Sequence, residues 1–173
     1  MAAEVRIVHR FREIPRAPLP RRVASVKNTR LPIVLAAEDD ESSRLLLQEA
    51  FNAAGVPVDL RLVESGRDLL DYLRRREPWT KALSPDLILL DLNMPGIDGR
   101  EALAKIKGHP ELKHLPVVVL TASRAEQDVA DAYALGANTY VPKPDSFDKL
   151  VTTVQALCEF WFRTCAVPDA GER

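Results

Sequence analysis

Only two cysteines occur in the 173 residues, Cys158 and Cys165, too few for a disulfide framework and without the clustered spacing of a zinc site. Scarce cysteine suits a reducing cytoplasm. No apolar run approaches the ~20 residues a membrane helix requires, which excludes a spanning segment. His9, His109 and His114 are scattered through tail and loop text and form no catalytic or metal-binding pattern. No strong charge of one sign is present either, the net value being −1. That balance hides an asymmetry, because residues 1–30 carry eight Lys or Arg against two Glu and leave −7 on the rest. An acidic folded part offers no nucleic-acid footprint.

What is present divides at Leu31. Residues 1–30, with Pro15, Pro18 and Pro20 and little periodicity, read as a basic Pro/Arg-rich extension. Such an arm would suit an acidic partner surface or a membrane, although a solvated extension is the simpler reading. Beyond it, short apolar runs recur as IVLAA (33–37), VDLRLV (58–63), LILLDL (87–92), VVVLTA (117–122) and TYVPK (139–143). Four are near-continuous, as strands covered on both faces are, whereas VDLRLV alternates like an edge strand.

Helical text separates the runs. Ser42 to Ala54 carries Leu45, Leu46, Glu49, Ala50 and Ala53 at helical spacing, with Gly55 as a stop. Ser65 and Asp68, and again Ser123 and Glu126, have the spacing of a capping box. Asp40, Glu41 and Asp98 suit helix N-termini. A short helix follows Gly99 as far as Gly108, and a final one runs from Ser146 through Val154, Cys158, Trp161 and Phe162. Five strand–helix units in strict alternation imply an α/β fold with a doubly wound parallel sheet and helices on both faces.

Ligands of such sheets bind beyond the carboxyl ends of the strands, where the strand order switches. Glu38 and Asp39 close the first strand, Asp91 the third, Thr121 the fourth and Lys143 the fifth. In the order 2-1-3-4-5 the three carboxylates converge. Like charges that close must raise their pKa values or bind a cation. Oxygen-only donors favour a hard ion, and Mg2+ suits the set if waters complete its shell. A cation, a lysine and a hydroxyl around one Asp are what an aspartyl phosphate requires, and aspartate is an established phosphoryl acceptor.

The strings AEDDES, LDLNMPGIDG, LTAS and YVPKP resemble the receiver domain of two-component response regulators, a flavodoxin-like five-stranded fold, over residues 31–165. The resemblance implies Asp91 as phosphoacceptor, Asp39 as a direct metal ligand, Glu38 as a ligand acting through water, and the Asn93 carbonyl as a further ligand. It implies that Thr121 and Lys143 hold the phosphoryl group, that Tyr140 swings inward on activation, and that the Lys143–Pro144 bond is cis. Glu38 departs from the commoner Asp at its position.

The stretch REALAKIKGHPELKHLPVVVLTAS, the loop REPWTKALSPD and the string VQALCEFW are similar to the stand-alone receivers that partner bacterial phytochrome histidine kinases. The implied partner is therefore a sensor histidine kinase, here a phytochrome, with no nucleic acid and no membrane involved. Activity is confined to self-catalysed phosphorylation and dephosphorylation of Asp91. With 166–173 as a short tail, output falls to partner proteins. A homodimer through the last helix and the last strand, using Trp161 and Phe162, is one expectation, with internal packing of those rings in a monomer the other. A receiver-like scaffold that takes no phosphate is the alternative function. A flavodoxin is excluded because acids stand where a phosphate-binding loop belongs, and a haloacid-type phosphatase because "DLN" lacks the second acid of DxD.

Overall fold

The computed structural model describes residues 30–165. The basic extension before Arg30 and the tail 166–173 lie outside the described residues. Five parallel strands, β1 (Ile33–Ala37), β2 (Asp59–Val63), β3 (Leu87–Leu90), β4 (Val117–Thr121) and β5 (Thr139–Pro142), form one sheet in the order β2-β1-β3-β4-β5. Between them run α1 (Glu41–Ala54), α2 (Gly66–Leu73), α3 (Gly99–Gly108) and α4 (Glu126–Ala134), with α5 (Phe147–Glu159) after β5. This is the flavodoxin-like doubly wound sheet that the alternation implied.

Successive strand residues face opposite layers. Leu35, Ile88, Leu90 and Val119 therefore pack with Leu69, Leu103 and Ile106 of α2 and α3. Val34, Leu87, Leu89 and Val118 pack with Leu47 and Phe51 of α1 and with Val154 and Cys158 of α5. Burial on both faces is why β1, β3 and β4 read as unbroken apolar text. At the edge, β2 turns Leu60 and Leu62 to the α1–α5 layer and leaves Arg61 between them exposed, which gives its alternation.

Helix starts follow side-chain chemistry. Asp40 accepts from the Ser43 amide at 2.7 Å, Asp98 from Glu101 at 2.7 Å and Ser65 from Asp68 at 3.1 Å. Each such cap contributes about 1 kcal/mol. Gly55, at φ +63°, ends α1 in the left-handed conformation.

Four local expectations are corrected. Leu45 and Leu46 are more than half exposed, and the inward face of α1 is Leu47, Ala50 and Phe51. Three consecutive leucines leave helical phase open, and the pairing of Leu47 with Phe51 one turn on decides it. Ser123 does not cap α4, whose N-cap is Ala125 with no side-chain bond, and the Ser123 hydroxyl donates to Asp128 instead. The Lys143–Pro144 bond is trans, and the cis peptide bond among the described residues is Glu77–Pro78. Trans is the commoner form before proline by about 0.5–1 kcal/mol, and Lys143 reaches its partners with it. Finally, α5 continues as a π-helical turn, Phe160–Thr164, rather than as regular helix.

Two anchors had no sequence signal. Arg30, assigned to the extension, forms a two-pronged ion pair with Asp86 at 2.9 and 3.1 Å. The buried Asp86 carboxylate also accepts the Ile33 amide at 2.7 Å, tying the start of β1 to the start of β3. On α3, the Lys107 ammonium donates to the Leu115 carbonyl at 2.7 Å and to Asn138 Oδ1 at 3.0 Å, and that amide oxygen also accepts the Val117 amide. Burial pulls Lys107 below the ordinary lysine value. Replacing it with methionine leaves the Leu115 carbonyl without this donor and takes one of two donors from Asn138, so Lys107→Met should lower stability by about 1–3 kcal/mol. Urea unfolding checks this as a lower midpoint at unchanged slope.

Candidate functional site

Parallel ladders carry the strand register past the strand ends. The Glu38 amide donates to the Val63 carbonyl at 3.1 Å, Asp91 to Ala37 at 3.1 Å and Lys143 to Thr121 at 2.7 Å. Residues from β1, β3, β4 and β5 thereby arrive at one edge of the sheet. The loop after β3 is closed tightly, with the Gly99 amide donating to the Leu92 carbonyl at 2.9 Å and Gly96 turning at φ +78°. Glycine adopts that conformation without steric cost.

At this edge two buried carboxylates face one ammonium. Lys143 Nζ lies 2.5 Å from Glu38 Oε2 and 2.6 Å from Asp91 Oδ2. Asp91 Oδ1 accepts the Asn93 amide at 3.1 Å. Burial pushes the Asp91 carboxyl up, but the hydrogen bond from Lys143, the neighbouring Thr121 hydroxyl and the Asn93 amide more than offset it and hold it below the ordinary aspartate value. For Glu38 burial wins over the same lysine, and repulsion from Asp91 adds to it, so its carboxyl stands above the usual glutamate value. Burial works against the Lys143 charge, yet its two carboxylate partners raise it overall. One acid is therefore poised as an anion beside a second that holds its proton more tightly, with burial and unequal hydrogen bonding setting the two apart.

The remaining site residues take distinct places. The Thr121 side chain is wholly buried; its hydroxyl lies near enough to Asp91 to lower that carboxyl, yet makes no well-formed hydrogen bond among the described residues. A buried orphan hydroxyl is costly unless something arrives to bond it. Asp39 is part-exposed; its backbone carbonyl accepts Arg44 at 2.7 Å, and its carboxylate makes no hydrogen bond among the described residues. Asn93 is exposed. Tyr140 is part-buried against the α2–α3 layer and its hydroxyl donates to the Ser123 carbonyl at 3.0 Å. Trp161 and Phe162 stand apart from this edge, half-buried against the α1–α5 layer, while Phe160 beside them is half exposed.

A hard cation fits the donor set. Two buried carboxylates already share one positive charge, and Asp39 and the Asn93 carbonyl supply oxygen alone. No three metal-binding side chains form a ready cage among the described residues. Mg2+ does not need one, because it takes one or two carboxylates and keeps several waters.

Residues 34–155 match the response regulator receiver domain model. The chain belongs to the response regulator receiver family. Rcp1, a response regulator of Synechocystis sp., is 38% identical over 138 residues, covering 80% of this chain and 94% of its own. Among solved structures, the phosphorylated cyanobacterial phytochrome response regulator RcpA is 40% identical, with a TM-score of 0.76 over 80% of this chain and 99% of its own. The Mn2+-bound form of Rcp1 is 37% identical, with a TM-score of 0.73 over 79% of this chain and 99% of its own. The receiver is thus related to phytochrome response regulators and belongs to two-component signalling. Receivers bind a divalent metal. Among the described residues no helix is long and apolar enough to cross a membrane.

Proposed function

We propose that this receiver is a switch set by phosphoryl transfer from a histidine kinase to Asp91, with a phytochrome kinase as donor. The reading rests on the convergence of a depressed Asp91 carboxylate, the Lys143 ammonium and the buried Thr121 hydroxyl beside them at the end of β3. An Asp91 oxygen attacks the phosphorus of a phosphohistidine. A P–O bond forms as the P–N bond breaks, and the departing imidazole nitrogen takes a proton. Lys143 holds charge on one side of the transferred group, and the Thr121 hydroxyl donates to one of its oxygens. The residues suited to hold Mg2+ are Asp39, Asp91, Glu38 through water and the Asn93 carbonyl; the ion supplies charge neutralisation for the transferring oxygens. Lys143 must release Glu38 as its charge turns to the phosphoryl group.

The phosphorylated state shifts Thr121 and Tyr140, and with them the α4–β5 surface that partner proteins meet. The receiver unit spans 31–165, with a basic extension before it and a short tail after it, in a cytoplasmic setting. No catalysis beyond self-phosphorylation and its reversal is invoked. A homodimer through α5 would present Phe160 beside the half-buried Trp161 and Phe162. The phytochrome assignment follows from the kinship with Rcp1 and RcpA.

Acetyl phosphate with Mg2+ should add one phosphoryl mass to the intact chain, and EDTA should abolish the gain. Asp91→Asn should gain nothing. A purified phytochrome kinase, autophosphorylated and then mixed with the chain, should lose its label faster to wild type than to Asp91→Asn. Equal uptake by the two chains would move the site off Asp91, and no uptake from either donor would favour a scaffold.

A further inference from the structure

Outside the phosphoryl site, four groups from three elements are wired together beside Tyr140. Arg100, the second residue of α3, donates to Asp128 of α4 at 2.5 Å. The other oxygen of that carboxylate accepts the Ser123 hydroxyl. Ser123 in turn offers its carbonyl to the Tyr140 hydroxyl at 3.0 Å, and its Oγ accepts the Ala125 amide at 3.3 Å. Arg100 follows directly on Gly99, which abuts the Asp91 carbonyl, and Ser123 lies two residues beyond Thr121. The chain of bonds therefore runs from the end of the Asp91 loop to the loop that carries Thr121.

Local chemistry explains why the link is needed. The N-cap of α4 is Ala125, which makes no side-chain cap bond, so the loop between β4 and α4 lacks the usual restraint at its helical end. Asp128 provides that restraint from inside the first turn, and Arg100 fixes Asp128 from the neighbouring helix. A carbonyl receives a hydroxyl well only in a narrow range of positions. Holding Ser123 fixes where its carbonyl points, and hence whether the Tyr140 ring stays turned in.

We infer that Arg100 is a positioning residue for the switch: acting through Asp128 and the Ser123 hydroxyl, it holds the β4–α4 loop where Tyr140 is received in its inward position. The inference rests on the phosphorylation reading for its consequence, since inward Tyr140 and a settled Thr121 are what the phosphorylated site requires. Its geometric part stands without that reading.

The test uses the full chain labelled with 3-fluorotyrosine, with the Tyr140 line assigned by Tyr140→Phe. Arg100→Met and Ser123→Ala should each displace that fluorine line from its wild-type position, and the double variant should move it no further, as expected for links in one chain. Arg100→Lys, which keeps the cation, should restore at least half of the displacement. Acetyl phosphate should label Arg100→Met about fivefold more slowly than wild type, or ~1 kcal/mol on the barrier. Thermal midpoints close to wild type identify the effect as local. Unchanged Tyr140 lines in both single variants, or additive displacements in the double, would overturn the proposal.

Beryllofluoride with Mg2+ separates the two readings. A wild type that binds no beryllofluoride, read as no bound-fluoride line, counts against phosphorylation of the site, while the comparison of variants without it still decides the role of Arg100.

Discussion

Gly99→Ala should cost about 3 kcal/mol or more and abolish phosphoryl uptake, the largest effect of any single methyl group added near the site. A Cβ there would lie 2.0 Å from the Asp91 carbonyl oxygen and 2.6 Å from Leu92 Cα. Both obstacles are backbone, so no side chain can rotate away. Overpacking usually costs about 1–3 kcal/mol, and more where nothing can yield. Relief would need the Asp91–Gly99 loop to open, breaking the Gly99–Leu92 bond and moving the Asp91 carboxylate away from Lys143. Gly108→Ala, at the end of the same helix, is the control. Nothing lies within 4 Å of its Cβ and its φ is ordinary, so it should be neutral or stabilising by about 0.5 kcal/mol. Urea titrations of the two variants beside wild type check both values.

Lys143→Met should destabilise the metal-free chain by about 3 kcal/mol at pH 7, and lowering the pH should recover much of the loss. Removing one member of a buried ion pair strands the other charge, and here it strands two, on Glu38 and Asp91, both almost fully buried. Burial already holds the Glu38 carboxyl above its ordinary value, and without its lysine it rises further. A carboxyl raised in the folded state binds more protons folded than unfolded. Stability then increases as pH falls from the raised folded value toward the ordinary ~4.3. Wild type should show this rise more weakly, because Lys143 opposes it. Mg2+ should also restore stability to the variant by placing a cation between the carboxylates. Thermal melts between pH 5 and 8, with and without Mg2+, read all three effects. A pH-independent loss would mean that packing of the lysine stem, rather than its charge, holds this edge together.

The sheet was legible in the sequence because burial on both faces leaves an unbroken apolar signature, and strictly alternating βα units allow few topologies. The site was legible for a related reason. Parallel strands end together, so polar residues that close apolar runs meet in space even when, like Glu38 and Lys143, they stand 105 residues apart. Contacts made by long side chains were not legible. Nothing in the text around Arg30, Asp86 or Lys107 marks its partner, because a long flexible stem can reach several acceptors and only the fold selects one. Local signals failed where a stronger tertiary contact competed. Ser123 has capping spacing, yet its hydroxyl goes to Asp128, which Arg100 holds. The leucine triplet at 45–47 likewise gave helix without phase. The exposed ring of Phe160 lies two residues beyond the buried Cys158 and so falls on the opposite face of the helix, away from the α1–α5 layer.

The central claim is that the phosphoryl group resides on Asp91, and peptide mapping after borohydride reduction tests it most directly. Borohydride reduces an acyl phosphate to an alcohol and leaves free carboxylates intact, so a phosphorylated aspartate becomes homoserine. The chain should be treated with acetyl phosphate and Mg2+, reduced, digested and sequenced by mass spectrometry. Homoserine at residue 91 alone, absent when EDTA replaces Mg2+, is the expected result. Homoserine at Asp39 or another acid, with residue 91 unchanged, would contradict the account.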